Sequence, residues 1–203
     1  MNAFEIAAVV LILFFSIVLH EVSHGAVAFC FGDPTAKAMH RLTLNPLSHI
    51  DWIGTVMLPL VLFLAHSQFI FAWAKPVPYD PRYFRYRNLG TLAVAAAGPI
   101  TNLALAVGFA FLMKKAGGME TSAGGAFYFG LGINLLLALF NLIPIPPLDG
   151  SKIVGVFLPK PFQDLFFSLE KWGMILIVAL LFSGLLNRSL IPVYQVLLNR
   201  LAS

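Results

Sequence analysis

Long apolar runs separated by short polar segments give this chain its pattern. The runs cover about residues 3–31, 89–113, 126–143 and 172–186. Crossing the ~30 Å hydrocarbon layer of a bilayer takes about 20 helical residues, and these runs reach or approach that length. The pattern predicts an all-α polytopic membrane protein with about four to five transmembrane helices, the number depending on whether the tail 187–203 spans.

One further apolar segment, residues 52–65, is too short to cross as a helix and is interrupted by Pro59. Backbone that is irregular at membrane depth is tolerated where it is buried in protein or lines a wet cavity. We therefore predict that 52–65 is a re-entrant or membrane-dipping element rather than a span.

Composition supports a membrane location and limits the classes of partner that the protein is expected to bind. Of the 203 residues, 59% are hydrophobic and 11% are charged, against about half and a quarter in soluble domains. The net charge of +4 comes from basic residues in loops such as 75–87, which is typical of cytoplasmic loops and does not indicate nucleic-acid binding. We expect the lipid bilayer as a partner and no nucleic acid.

The single cysteine, Cys30, excludes an intrachain disulfide framework and a multi-cysteine metal site.

Two histidines and a glutamate interrupt the first apolar run. His20 and His24 are spaced i, i+4, so on a helix both imidazoles lie on one face and can bind one metal ion, with Glu21 beside them as a general base. The alternatives to a metal site are that this short pattern occurs by chance, or that the histidines form structural hydrogen bonds between helices. Ionisable groups at mid-membrane cost roughly 2.5–3.5 kcal/mol each, which favours the metal site.

A catalytic zinc site usually has three protein ligands and one open position. Asp149 is a candidate for the third ligand because it ends a span, although an Asp-Gly pair is also an ordinary turn. His40, His49 and Asp51, in the loop after the first span, are the other candidate donors.

Two motifs carry a resemblance to a known family. "HEVSHG" (20–25) in an early span and "NLIPIPPLDG" (141–150) at the end of a later one resemble the site-2 protease family of intramembrane zinc metalloproteases. "GPITN" (98–102) and "LNPLSHIDWIGT" (44–55) are similar to segments of its compact prokaryotic branch, which lacks a PDZ domain. The resemblance covers residues 15–150.

The resemblance implies a zinc-dependent intramembrane endopeptidase with one Zn²⁺ per chain, ligated by His20, His24 and Asp149. Glu21 would be the general base that acts on metal-activated water. Asn102 and Asn141 match positions that contact substrate or polarise its carbonyl, the alternative for both being interhelical hydrogen bonds.

The resemblance also implies that the substrates are transmembrane segments of other membrane proteins. It favours one integral membrane metalloprotease domain over 1–203, with its core at 3–150 and a C-terminal span at 172–186 followed by a tail. An extended edge within 35–65 could pair with unwound substrate.

Charge distribution predicts the orientation in the cell membrane. No basic residue precedes Lys37, so the first span should enter with its N-terminus outside. Loops 66–89 and 151–171 are then inside, loop 114–125 is outside, and the active site lies toward the cytoplasmic half. A metal or ion transporter and a catalytically silent binding scaffold are the alternative functions. The near absence of charge in the later spans argues against the transporter, and the intact Glu21 against the scaffold.

Overall fold

The computed structural model describes residues 3–57, 60–61, 64–65 and 74–203. Helices are the regular secondary structure of this described part, which contains no strand. Parts of the predicted membrane-dipping segment 52–65 and of the loop 66–89 lie outside these residues. The helices are α1 (Ala3–Cys30), α2 (Thr35–Ala38), α3 (Arg87–Lys115), α4 (Ser122–Asn141), α5 (Asp149–Gly155), α6 (Lys160–Ser168), α7 (Glu170–Phe182) and α8 (Leu185–Ala202).

Three of these helices, α1, α3 and α4, are long and apolar enough to cross a membrane. A fourth crossing is possible if α6 and α7, which meet at a 63° bend, form one span. Large apolar side chains such as Val10, Phe15, Val107 and Phe111 are exposed on the outer faces of α1 and α3, as expected for helices that face lipid. The predicted all-α polytopic membrane fold is confirmed, with three or four candidate spans in the described residues.

The three long helices alternate in direction. Ala28, near the end of α1, packs with Val94, near the start of α3. Glu5, at the start of α1, accepts a hydrogen bond of 3.0 Å from the hydroxyl of Ser122 at the start of α4. Helices α1 and α4 therefore run in one direction and α3 runs in the other.

The tail forms a helix that packs on this bundle. Leu198 of α8 joins Ala106 and Ala110 of α3 and Leu131 and Leu135 of α4 in a buried apolar cluster. Helix α8 is not among the candidate spans of the described residues. The small alanines of α3 allow the helices to approach closely, which is how membrane helices gain packing contacts.

The connection between α1 and α3 begins and ends at the same side of the bundle. The N–H of Arg85 donates to the carbonyl of Phe31 (3.1 Å), and the N–H of Lys75 donates to the carbonyl of His49 (2.9 Å). If residues 52–65 crossed the membrane as one span, residues 49 and 75 would lie on opposite sides of it. The hydrogen bond between these two residues therefore agrees with the prediction that 52–65 is not a span. Trp52–Met57 forms a short π-helical turn.

Short helical turns occupy Thr35–Ala38, Pro46–His49 and Trp52–Met57, and residues 41–45 between the first two are non-helical backbone. An edge in this segment that pairs with substrate stays a prediction. A further non-helical stretch, residues 74–80, lies later in the chain and reaches Glu21 through the N–H of Val77.

Candidate metal centre

Three side chains from two parts of the chain meet inside the bundle. Nε2 of His20 and Nε2 of His24 lie 3.1 Å apart, and each is 3.3 Å from Oδ2 of Asp149. All three residues are 7% exposed. Among the described residues this is the one group of three or more metal-binding side chains whose ligand atoms lie within 4.8 Å of one another.

The hydrogen-bond partners of the histidines fix where their protons are. Nδ1 of His24 lies 2.6 Å from the carbonyl oxygen of Val94, and a carbonyl only accepts, so Nδ1 carries the proton. Nδ1 of His20 lies 2.6 Å from the side-chain oxygen Oδ1 of Asn102, which likewise only accepts. In the neutral form of each ring Nε2 is then without a proton, and both Nε2 atoms face Oδ2 of Asp149.

Two lone pairs and a carboxylate oxygen facing one another at 3.1–3.3 Å repel unless a positive charge lies between them. Two imidazole nitrogens and one carboxylate oxygen are ligands that Zn²⁺ prefers, and three protein ligands leave one position open. An outer hydrogen bond on each ring nitrogen that faces away from the site is also the usual arrangement in zinc sites. The residues present therefore fit a catalytic zinc ion.

The two histidines approach α3 at Gly98. A Cβ built on Gly98 would lie 2.6 Å from Nε2 of His20 and 2.5 Å from Nε2 of His24. Contacts under 3.0 Å are essentially never seen for a real Cβ, so the site requires glycine at this position. Helix α3 continues through the adjacent Pro99.

Asp149 is the first residue of the short helix α5, which follows an irregular turn rich in proline. The Pro146–Pro147 peptide bond in this turn is cis. Gly150 permits the turn to fold tightly, because a Cβ there would meet the backbone of Leu142 and Ile143. The turn thereby returns the chain toward α3, on which α5 packs.

Glu21 is half-buried and is adjacent in sequence to the first histidine. Its Oε2 accepts a hydrogen bond of 2.9 Å from the backbone N–H of Val77. Val77 stands between Pro76 and Pro78, neither of which has an N–H, so it offers the one backbone donor of this tripeptide. The guanidinium of Arg41 donates to the carbonyls of Lys75 (2.8 Å) and Pro76 (3.3 Å) and so holds the same segment.

The two asparagines have different surroundings. Asn102 is fully buried and is bonded to His20, which is the interhelical contact named as the alternative to substrate positioning. A substrate-positioning role for Asn102 stays a prediction. Asn141 is half-buried, and its side-chain nitrogen donates to the carbonyl of Leu137 at 2.9 Å. A substrate contact by Asn141 stays a prediction.

The alternative ligands lie outside the cluster. His40 is exposed. His49 is buried, with Nε2 at 2.9 Å from the carbonyl of Thr43. Asp51 accepts from the N–H groups of Ile53 and Gly54 and so caps the π-helical turn.

Sequence reasoning missed Gly98, Val77 and a second buried asparagine, Asn134. Asn134 donates and accepts hydrogen bonds with Ser16 and Asn102. An amide in the middle of the mostly apolar helix α4 was the signal that could have identified it, since polar groups are costly at that depth.

Comparisons with known proteins agree on a family. A family model described as "Peptidase family M50" matches residues 116–184, which include Asp149. YwhC of Bacillus subtilis is 39% identical over 181 residues, covering 84% of this chain and 78% of that protein. Rip2 of Mycolicibacterium smegmatis is 30% identical over 177 residues, covering 85% of this chain and 66% of that protein.

A third relative, MJ0611 of Methanocaldococcus jannaschii, is 49% identical over 63 residues, 30% of this chain and 31% of that protein. Each of the three is named "Putative zinc metalloprotease". No solved structure matches the chain. The extent of the YwhC match, together with the family model, shows that the chain belongs to peptidase family M50, the site-2 protease family that its motifs resemble, and is a membrane metalloprotease.

Proposed function

We propose that this chain is a zinc-dependent intramembrane endopeptidase that hydrolyses peptide bonds within transmembrane segments of other membrane proteins. The observation that carries the proposal is the cluster of His20, His24 and Asp149, whose ligand atoms lie within 4.8 Å of one another and are buried inside a bundle whose outer faces are apolar. The names of the relatives support zinc as the metal. One cluster in the described part of the chain corresponds to one Zn²⁺ per chain.

Zinc held there would supply Lewis acidity, which lowers the pKa of water and polarises the scissile carbonyl. Glu21 takes the proton that the attacking water loses as its oxygen bonds to the carbonyl carbon. The same carboxyl then gives that proton to the leaving amine nitrogen as the C–N bond breaks, so no net proton is consumed by Glu21. The hydrogen bond from Val77 holds the Glu21 carboxylate in place.

A peptide bond in a transmembrane helix is protected because its backbone groups are bonded within the helix and water is excluded. The enzyme therefore has to receive an unwound stretch of substrate beside the cluster. Residues 141–150 supply irregular backbone next to Asp149, and Asn141, half-buried at the end of α4, is placed to meet the substrate there. The substrate-binding role of Asn141 rests on this position.

For the orientation in the cell membrane, we infer an external N-terminus and an active site toward the cytoplasmic half. The alternating directions of α1, α3 and α4 put the start of α1 and the 114–125 loop on one side. They put the residues after α1 and the start of α3 on the other. The second side carries the larger number of basic residues, as cytoplasmic loops do.

The test of Glu21 separates chemistry from metal binding. Glu21→Gln keeps the size and hydrogen-bonding oxygen of the side chain but removes the base, so we expect zinc binding to persist while cleavage of a single-span substrate falls about 100- to 10,000-fold. Glu5→Gln is the matched control, because Glu5 is the other acidic residue of α1 and lies at its far end. Wild-type cleavage by purified Glu21→Gln protein would refute the role of Glu21.

The ligand set is tested in the same preparation by metal analysis. Asp149→Ala and His24→Ala should each strip zinc from the purified protein, while His49→Ala should retain it, since His49 lies outside the cluster. If the Asp149→Ala protein retained zinc and the His49→Ala protein lost it, Asp149 would not be the third ligand.

A further inference from the structure

A chain of hydrogen bonds runs from the metal centre through three helices. His20 on α1 bonds Asn102 on α3 (2.6 Å), Asn102 bonds Asn134 on α4 (2.9 Å), and Asn134 bonds Ser16 on α1 (2.8 Å). Ser16 is 1% exposed and both asparagines are 0% exposed. All three side chains are buried inside the bundle, so we expect their influence on the reaction to pass through His20.

The direction of every bond in this chain follows from two backbone carbonyls. The side-chain nitrogen of Asn134 lies 2.9 Å from the carbonyl of Gly130, which only accepts, so this end of the amide is the donor. The hydroxyl of Ser16 donates to the carbonyl of Ile12 (2.7 Å) and therefore accepts from Asn134. The oxygen of Asn134 must then face Asn102 as an acceptor.

The same logic continues to the metal ligand. Because Asn134 presents an oxygen, Asn102 presents its nitrogen there and turns its own oxygen toward Nδ1 of His20. Nδ1 of His20 must then carry the proton of the neutral ring, which leaves Nε2 unprotonated. If Asn102 turned over by 180°, its nitrogen would face Nδ1, and the proton of the neutral ring would move to Nε2, where it blocks metal binding.

We propose that Asn134 is a positioning residue of the metal centre: it fixes the amide orientation of Asn102 and, through it, the tautomer of His20 that can ligate a metal. The inference deepens the proposed function, since it rests on His20 as a ligand. The competing explanation is that Asn134 only ties α1, α3 and α4 together, as polar side chains do in membrane bundles.

Asn134→Leu removes the nearer acceptor of the Asn102 amide at similar volume. Only a long contact of 3.5 Å to the carbonyl of Ser16 then opposes a turn of that amide. We expect zinc affinity, measured by competition with a chelator, to fall about 10- to 100-fold, the usual effect of losing an outer partner of a metal-binding histidine. Asn134→Asp should restore most of the affinity. A buried carboxyl group is held in the protonated form, so its carbonyl faces Asn102 and its O–H donates to Gly130.

The control for a purely structural role is Leu135→Ala. Leu135 is 1% exposed on the same helix and packs in the buried cluster of α3, α4 and α8. Its truncation should destabilise the bundle without touching the hydrogen-bond chain. We expect zinc affinity within about twofold of wild type at temperatures where the protein is folded. Ser16→Ala should cost less than Asn134→Leu, because the Gly130 carbonyl still orients Asn134.

A second readout does not depend on metal. Nitrogen NMR of the metal-free protein with ¹⁵N-labelled histidine should show His20 protonated at Nδ1 in the wild type and a mixture of tautomers in Asn134→Leu. An unchanged tautomer and unchanged zinc affinity in Asn134→Leu would overturn the inference, as would an equal loss of affinity in Leu135→Ala. Wild-type protein that binds no zinc would instead refute the proposed function, and the tautomer measurement would still decide the role of Asn134.

Discussion

Replacing Gly98 by alanine separates stability of the fold from formation of the metal centre. In most helices this change is stabilising by about 1 kcal/mol, because alanine has the higher helix propensity and a smaller entropy cost. At Gly98, however, the new methyl group would lie 2.6 Å from Nε2 of His20 and 2.5 Å from Nε2 of His24. Ordinary contacts of a Cβ are 3.4–4 Å, so both rings must move by about 1 Å, which exceeds the ~0.2 Å tolerance of a metal–ligand distance.

The expected loss follows from the number of ligands displaced. Disturbing even an outer partner of one metal-binding histidine costs 10–100-fold in affinity. Two displaced ligands therefore cost roughly 100- to 10,000-fold, or about 3–6 kcal/mol at 1.4 kcal/mol per factor of ten. Zinc affinity measured by chelator competition should fall by that factor, and cleavage of a single-span substrate should fall with it.

Gly108→Ala is the matched control for this experiment. Gly108 lies on the same helix, and a Cβ built there meets nothing within 4 Å. This variant should bind zinc as the wild type does, with equal or greater thermal stability. Wild-type zinc affinity in Gly98→Ala would show that the packing of His20 and His24 against α3 is not as described.

Two further predictions concern the segment before α3 and the orientation of the bundle. Val77→Pro removes the donor to Glu21. A bond to a charged group is worth about 1.5–3 kcal/mol, so kcat should fall roughly 10- to 100-fold at unchanged zinc content, whereas Val77→Ala keeps the N–H and should lose less. Equal kcat in both variants would contradict this. In a Cys30→Ala background, an impermeant thiol reagent on intact cells should label a cysteine at Glu120 and not one at Lys160. The reverse pattern would invert the proposed topology.

Hydropathy was enough to predict the helical membrane fold, because the cost of burying unpaired backbone in lipid leaves few alternatives to long apolar helices. His20, Glu21 and His24 were also accessible, since their i, i+4 spacing places them together within one helix whatever the rest of the chain does. Asp149 was different. Its position at the end of a span favoured it only slightly over His40, His49 and Asp51, with an ordinary turn as the alternative, and the motif resemblance then pointed to Asp149.

The residues that the sequence did not reveal act across large sequence separations. Asn102 and Asn134 reach His20 from two other helices, and the donor to Glu21 comes from a proline-flanked segment more than fifty residues later. Periodicity reports which face of a helix is apolar, but it does not report which residue on a neighbouring helix lies at the same depth. The sequence consequently left two roles open for Asn102, substrate positioning and interhelical hydrogen bonding, and the contact with His20 across helices became visible only in the structure.

These buried amides couple metal binding to assembly of the bundle. Ser16, Asn102 and Asn134 satisfy one another only when α1, α3 and α4 are packed together. In that packed state the bond from Asn102 to His20 directs Nε2 toward Asp149. A metal that binds only this arrangement stabilises the packed helices by its own binding free energy. The same hydrogen bonds thus have two roles in the membrane. They hold the helices at the correct depth, and they keep one histidine in the tautomer that a metal requires.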